Sequence, residues 1–328
     1  MSTPIDLPNL RATIESRWAE LHTNPDHRNI FRYQLAIERE RTLPGRFGFL
    51  TQLNPKRMTE RRKPEVIRSL RPPFEPERFH FNKVDEREVM GEVTIGGTAV
   101  SLLINNSPLT EFHTLLVPER EANLAQVLTK VGVEAAVRVM LEFKEVDYRI
   151  GFNSPGALAS VNHLHLHLLL VKHRLYVEDA PLTPLGNNLY RLDDCPAKAY
   201  CFQLEDPSSA PNFIALIYRA IELLLDAGIA HNLFFTWNSG GTVLRALVYP
   251  RSRPCEYKQV LPLNVAFCEL SGYVPLADPA DYDSMTERRL EEHFGQVQGA
   301  DVYREVEPLL VEGLRDLSEG GESRELSK

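Results

Sequence analysis

The segment Asn162-His163-Leu164-His165-Leu166-His167-Leu168-Leu169-Leu170-Val171 constrains this chain more than any other. Side chains of a strand alternate between faces, so His163, His165 and His167 fall on one side and the leucines between them on the other. The leucine side predicts a sheet surface packed on a core. The imidazole side reads as a metal site, as a structural row, or as a nucleophile with two supporting donors. At roughly 3.3 Å per residue the outer histidines start about 13 Å apart, whereas a metal draws its nitrogens to about 2 Å. One straight strand does not bring three rings onto one ion. Cys195, Cys201, Cys255 and Cys268 form no C-x-x-C pair, and no H-E-x-x-H is present.

The rest of the chain sets the background. Its 328 residues suffice for one large domain or two modest ones. Apolar and charged fractions of 43% and 25% are those of a soluble globular protein. A net charge of −8 removes any whole-chain electrostatic case for nucleic acid. The local runs Lys56-Arg57 and Arg61-Arg62-Lys63 read either as solvated loop or as an anion-facing patch for a pyrophosphate. No apolar run reaches the ~18 to 20 residues of a membrane span. The first six residues lack a basic-then-apolar signal, and scattered cysteines suit a reducing compartment, so the expectation is a cytoplasmic protein.

The pattern of elements is α+β. Leu10, Ile14, Trp18 and Leu21 recur at helical spacing, and Asn24-Pro25-Asp26 ends that helix. Gly96-Gly97 and Gly240-Gly241 each sit between apolar strands, as hairpins do. Helices are expected over 121–143, in two pieces around Gly132, and over 214–225; Asp283-Ser284 is expected to cap a helix over 285–297. Strands are expected over 114–117, 149–152 and 161–171. Residues 182–196, rich in Pro, Gly, Asn and Asp, read as a linker. Asn238-Ser239 through Pro250-Arg251 echoes Asn106-Ser107 through Glu119-Arg120 as a weak internal repeat.

His163-Leu164-His165-Leu166-His167-Leu168-Leu169 fits the His-φ-His-φ-His-φ-φ signature of the histidine triad superfamily at every position. Asn106-Ser107-Pro108 through His113-Thr114-Leu115-Leu116-Val117-Pro118 resembles the segment that precedes the triad in these proteins, with Phe112 where they carry glycine. Gly151 through Asn162 is similar to their Asn/Gly/Ser loop. Phe49 through Arg57, Pro73-Phe74-Glu75-Pro76, Phe79 through Val84, Ala230 through Phe234 and Asn264 through Tyr273 narrow the resemblance to the GDP-D-glucose phosphorylase family. It covers about residues 30 to 275. The plant GDP-L-galactose phosphorylases carry glutamine at the third triad position, so His167 places this chain nearer the GDP-D-glucose branch.

The resemblance implies a histidine-triad-like antiparallel sheet with flanking helices, as two related half-domains in one chain. The expected division is an N-terminal helical segment (1–45), a catalytic half (46–185), a second half lacking the motif (186–317) and a disordered tail (318–328). It implies that His165 is the nucleophile, that His163 orders the site and that His167 donates to the α-phosphate. Asn153, Ser160, Asn82, Lys83 and His113 are the expected substrate contacts. His231 is expected to be structural. His173-Arg174 and Glu269 face either the site or solvent. The expected partners are a GDP-sugar and inorganic phosphate, with no nucleic acid, no membrane and room for a homodimer. The scheme calls on no cofactor and no metal; the zinc site of uridylyltransferase relatives draws on an upstream cysteine pair, and no cysteine precedes Cys195. Three functions stay open at this level: a phosphorylase, a hydrolase in which water completes the reaction, and a nucleotide-binding protein that has kept the fold.

Overall fold

The leucine side of the histidine run is buried, and the sheet grows outward from it. The computed structural model describes residues 4–27, 29–57, 69–251 and 263–315. Its strands are β1 (Pro4–Ile5), β2 (Arg39–Thr42), β3 (Leu50–Leu53), β4 (Val89–Ile95), β5 (Thr98–Ile104), β6 (Thr114–Pro118), β7 (Tyr148–Asn153), β8 (Leu166–Leu170), β9 (Thr183–Gly186), β10 (Leu189–Leu192), β11 (Ala199–Leu204), β12 (His231–Trp237), β13 (Leu244–Pro250) and β14 (Tyr273–Leu276). Among the described residues, eleven of them form one sheet, ordered β1-β4-β5-β6-β8-β7-β12-β13-β11-β10-β9, and β14-β3-β2 form a second. Pairing in the large sheet is antiparallel except for β1 on β4.

The large sheet is a repeat. Strands β4 to β8 lie in the order 7-8-6-5-4, and β9 to β13 lie in the matching order 12-13-11-10-9. Helix α2 (Lys130–Phe143) connects β6 to β7, and α3 (Ala210–Asp226) makes the same connection from β11 to β12. The two units meet at the antiparallel pair β7–β12. This repeat does not coincide with the sequence echo of 106–120 in 238–251, which aligns β6 with β13 although topology matches β6 to β11. Short apolar strands ending at proline resemble one another whatever their place in a fold.

One face of the sheet carries Leu102, Leu116, Leu164, Leu166 and Leu168, all buried against helices α1 (Leu10–Thr23), α2 and α3. The four apolar positions of α1 read from sequence are its four buried residues. On the other face a register row runs directly across the strands: Val89, Leu103, Leu115, His167, Gly151, Phe234 and Leu247. The small sheet and helices α4 (Phe267–Leu270), α5 (Pro279–Ser284) and α6 (Glu287–Gln298) cover the far end of that row. A last helix, α7 (Val302–Gly313), packs on the leucine side.

Several expected boundaries move. Gly132 does not break a helix; it lies in the first turn of α2, where the Thr129 hydroxyl accepts its N–H. Residues 182–196 hold the edge hairpin β9–β10 rather than a linker, because Asn187 and Asn188 adopt the left-handed conformation that a tight turn needs. Asp283-Ser284 end α5, and Thr286 caps α6. The strand expected over 161–171 shrinks to β8, which leaves His163 and His165 ahead of it. The expected tail and the run Arg61-Arg62-Lys63 lie outside the described residues.

Candidate active site

A cavity of about 400 Å³ opens over the histidine end of the register row. Its lining divides along the sheet. Over β4, β5 and β6 the wall is the apolar set Phe79, Phe81, Val84, Leu103, Leu115 and Val161, edged by the polar Glu88, Asn105, Asn106 and Ser107. Over β7 the wall is Phe267, with Glu269, Asp278 and Arg57 beyond it. His165 and His167 stand between the two ends.

The backbone at His165 lacks a strand neighbour, and one side chain takes the place of a strand. Buried Gln126 accepts the His165 N–H through Oε1 at 2.9 Å and donates through Nε2 to the His165 carbonyl at 3.2 Å. The same Nε2 reaches the Asn153 carbonyl at 3.1 Å. Leu164 donates its N–H to the Leu124 carbonyl. The face alternation survives although the strand does not extend this far: Leu164 packs in the core, while His163 and His165 both lie against Phe81.

The His165 ring is fixed in one tautomer. Its Nδ1 lies 2.7 Å from the His163 carbonyl, which can only accept, so the proton sits on Nδ1 and the lone pair on Nε2. Burial pushes its pKa down to about 4, so the ring is neutral at pH 7. His163 sits deeper: its Nδ1 accepts the Phe81 N–H at 3.0 Å, and burial, with His165 and His80 nearby, lowers its pKa to about 4. It holds the Phe81 turn against the cavity wall.

His113 and His167 are in direct contact. His113 accepts the Leu109 N–H on Nδ1 at 3.0 Å, and its Nε2 lies 3.1 Å from His167 Nδ1 and 3.0 Å from Asn105 Nδ2. His113 is buried and held well below the usual imidazole pKa by desolvation, with Arg57 and His165 adding to the effect. It lines the cavity from behind His167. Phe112 has a φ of 56°, a left-handed conformation that costs a non-glycine residue about 1–2 kcal/mol. Edge-on packing of the Phe112 ring against Trp18, centroids 5.5 Å apart, accompanies that conformation.

Asn153 is oriented from the second half of the chain. Its Oδ1 accepts Asn232 Nδ2 at 2.7 Å and the Phe267 N–H at 3.2 Å, which turns the Asn153 amide donors toward the cavity that it lines. Asn232 is itself held by Arg251 at 3.0 Å. Ser160 also lines the cavity. Asn82 and Lys83 do not. Asn82 donates to the Arg120 carbonyl and to Asn123, and Lys83 donates to the Pro76 and Arg78 carbonyls, because the turn that points Phe81 inward points its two successors out. His231 is buried against the Ile229 carbonyl, away from the cavity lining. His173 pairs with Glu40 and Arg174 with Asp147, both outside it. Glu269 lines the cavity and caps its own short helix through the Ala266 N–H. Sequence reasoning gave no site role to Gln126 or Asn232; nothing in their local sequence marks a polar residue as one that serves a site formed by distant strands.

Two adjacent family models cover the chain: "GDPGP1-like, N-terminal domain" over residues 9–169 and "GDPGP1-like, C-terminal domain" over 174–303. The chain is 38% identical over 296 residues to a Danio rerio protein named GDP-D-glucose phosphorylase 1, spanning 85% of this chain and 83% of the relative. It is 39% identical over 278 residues to the Homo sapiens protein of that name, spanning 79% and 72%. An Arabidopsis thaliana GDP-L-galactose phosphorylase 1 is 26% identical over 292 residues, 79% of this chain and 64% of that one. Among solved structures, yeast Ap4A phosphorylase Apa2 in complex with AMP shares the fold, with a TM-score of 0.63 at 18% identity over 91% of this chain and 98% of that one.

Proposed function

The chain belongs to the GDPGP1-like family, and on that premise we infer that it is a nucleotidyltransferase converting GDP-D-glucose and inorganic phosphate to GDP and D-glucose 1-phosphate. The observation that carries the reading is the tautomer of His165. Its Nδ1–H is engaged by the His163 carbonyl, so the lone pair on Nε2 belongs to a neutral ring on the wall of a cavity with room for a ligand.

The chemistry follows in two displacements. Nε2 of His165 attacks the α-phosphorus; the N–P bond forms as the bridging P–O bond breaks, and D-glucose 1-phosphate leaves. Inorganic phosphate then attacks the guanylyl-histidine, the N–P bond breaks, and GDP departs. Splitting one hard displacement into two is what a nucleophilic side chain offers. Two inversions retain configuration at phosphorus and give ping-pong kinetics. The His167 ring and the Asn153 amide face the cavity where charge would grow on the α-phosphate oxygens, and Ser160 adds a hydroxyl to the same cavity. His113 acts through His167 rather than on substrate. Arg57, on the cavity wall, supports the reading of the first basic run as anion-facing. The buried free thiols of Cys195 and Cys201 support a reducing, cytoplasmic setting.

The test is an incubation of GDP-D-glucose with and without phosphate, read by product. Phosphate-dependent release of GDP with D-glucose 1-phosphate is expected. Release of GMP without phosphate would replace the phosphorylase by a hydrolase using the same histidine.

A further inference from the structure

We propose that Tyr33 is a positioning residue of this reaction: acting through the Pro108–Leu109 peptide, it fixes the ring of His113 and, by contact, that of His167. The proposal rests on the reading of the histidines given above. It starts from the turn 105–109, which follows β5 and lines the cavity through Asn105, Asn106, Ser107 and Leu109. Four consecutive carbonyls of this turn accept from donors outside the two repeated units. Asn106 accepts the Arg32 N–H at 2.8 Å, Ser107 accepts Arg57 Nη1 at 3.3 Å, Pro108 accepts the Tyr33 hydroxyl at 2.7 Å and Leu109 accepts the Tyr273 hydroxyl at 3.1 Å.

Buried carbonyls need donors in any loop, so the partners alone assign no role. The role comes from the peptide that Tyr33 holds. The Pro108 carbonyl and the Leu109 N–H are the two ends of one planar unit, trans here, and point in opposite directions. Tyr33 takes the oxygen end, and the nitrogen end donates to His113 Nδ1 at 3.0 Å. An oxygen that accepts a hydrogen bond polarises the N–H of the same peptide, which strengthens the second bond. One rigid unit therefore joins a buried tyrosine to the imidazole that lies 3.1 Å from His167. A donor aimed at Nδ1 favours the neutral His113 ring, because protonation there needs the same lone pair. The other titratable groups facing that ring are Arg57, His165 and His167. Tyr273 steadies the next peptide, with its single proton shared between the Leu109 carbonyl and Gln52 Oε1.

Steady-state kinetics with GDP-glucose and phosphate, beside NMR titration of histidine-labelled protein, test this in the full chain. The His113 signal is assigned by its loss in His113→Ala. Tyr33→Phe keeps the ring and removes the hydroxyl. It should lower kcat about tenfold with KM within about twofold, since a misplaced group at a reacting centre costs rate before affinity. In the same variant the His113 signal should titrate at higher pH than in the unaltered chain. Tyr273→Phe should act in the same sense and more weakly. Tyr33 also contacts Arg57, whereas Tyr273 contacts Gln52, so an effect common to both substitutions comes from the turn. Tyr148→Phe is the control: its hydroxyl is bound to Glu15 away from the cavity, so it should cost stability and leave kcat alone. In the His113→Ala background, Tyr33→Phe should cost no further kcat. An unmoved His113 titration in Tyr33→Phe, or a full further loss of kcat in the His113→Ala background, overturns the proposal. If the unaltered chain does not turn over GDP-glucose, the phosphorylase reading falls, and the His113 titration alone decides the positioning.

Discussion

Asn232 of β12 donates through Nδ2 to Oδ1 of Asn153 on β7 at 2.7 Å, across the seam where the two repeated units meet. The half without the triad therefore sets the orientation of a side chain that lines the cavity. Asn232→Asp keeps the acceptor that holds Arg251 but places an oxygen against Asn153 Oδ1, so the Asn153 amide should rotate and withdraw its donors. We expect kcat to fall about tenfold or more with little change in KM, beside a stability loss of about 1–3 kcal/mol from the buried hydrogen bond. Steady-state kinetics beside denaturant titration separate the two. Unchanged kcat in the folded variant would remove Asn153 from the chemistry.

His165→Ala should abolish covalent labelling by guanine-labelled GDP-glucose while leaving the sheet intact, because Gln126 holds this backbone through peptide groups rather than through the ring. His167→Gln should be milder: an amide nitrogen replaces the ring donor. Intact turnover in His165→Ala would defeat the nucleophile assignment.

The two faces of the histidine run were legible because alternation needs only local geometry, and the burial of Leu164, Leu166 and Leu168 agrees with it. The helix at Leu10 and the hairpins at Gly96-Gly97 and Gly240-Gly241 were legible for the same reason. The end of the strand at Leu166 was not. Whether a residue is in a ladder depends on its neighbour, and at His165 that neighbour is a glutamine side chain from 39 residues upstream. The direction of Asn82 and Lys83 was not legible either: the family motif gave their identity, while the turn that buries Phe81 directs both outward. The halves were inferred from resemblance, but their equivalence lies in strand order, which no spacing in the chain records.

Acidity should act on stability before it acts on the nucleophile. His163, His165 and His231 titrate at about 4 when folded, against about 6.5 in an unfolded chain. The unfolded chain therefore binds more protons in that window. Stability contributed by keeping these rings neutral is fully present above about pH 6.5 and is lost progressively down to about 4. Denaturant midpoints should fall across that window, whereas kcat/KM should show no limb from His165 between about pH 5.5 and 8. A limb near 6.5 that persists once substrate ionisation is accounted for would place the ring in solvent.

Gly151 lies in a strand with no need of left-handed freedom, and its requirement is space. A Cβ there would sit 2.1 Å from Cδ2 and Cε2 of the Phe267 ring and 2.5 Å from Cζ. That ring packs beside His167, centroids 5.4 Å apart, and the Phe267 N–H holds Asn153 Oδ1. Gly151→Ala must push the ring and α4 outward, which withdraws the Phe267 N–H from Asn153 and shifts Glu269 on the cavity wall. Overpacking of this kind costs about 1–3 kcal/mol, and a displacement near 1 Å at a reacting centre costs up to about a hundredfold in rate. Phe267→Ala in the same chain removes the clash. The double variant should be little less stable than Phe267→Ala alone, a coupling of about 1 kcal/mol or more between two residues in contact. It should not regain kcat, because the wall beside His167 is then absent. Strictly additive losses in a double-mutant cycle would mean that the ring moves aside freely, and that the glycine serves neither the wall nor the orientation of Asn153.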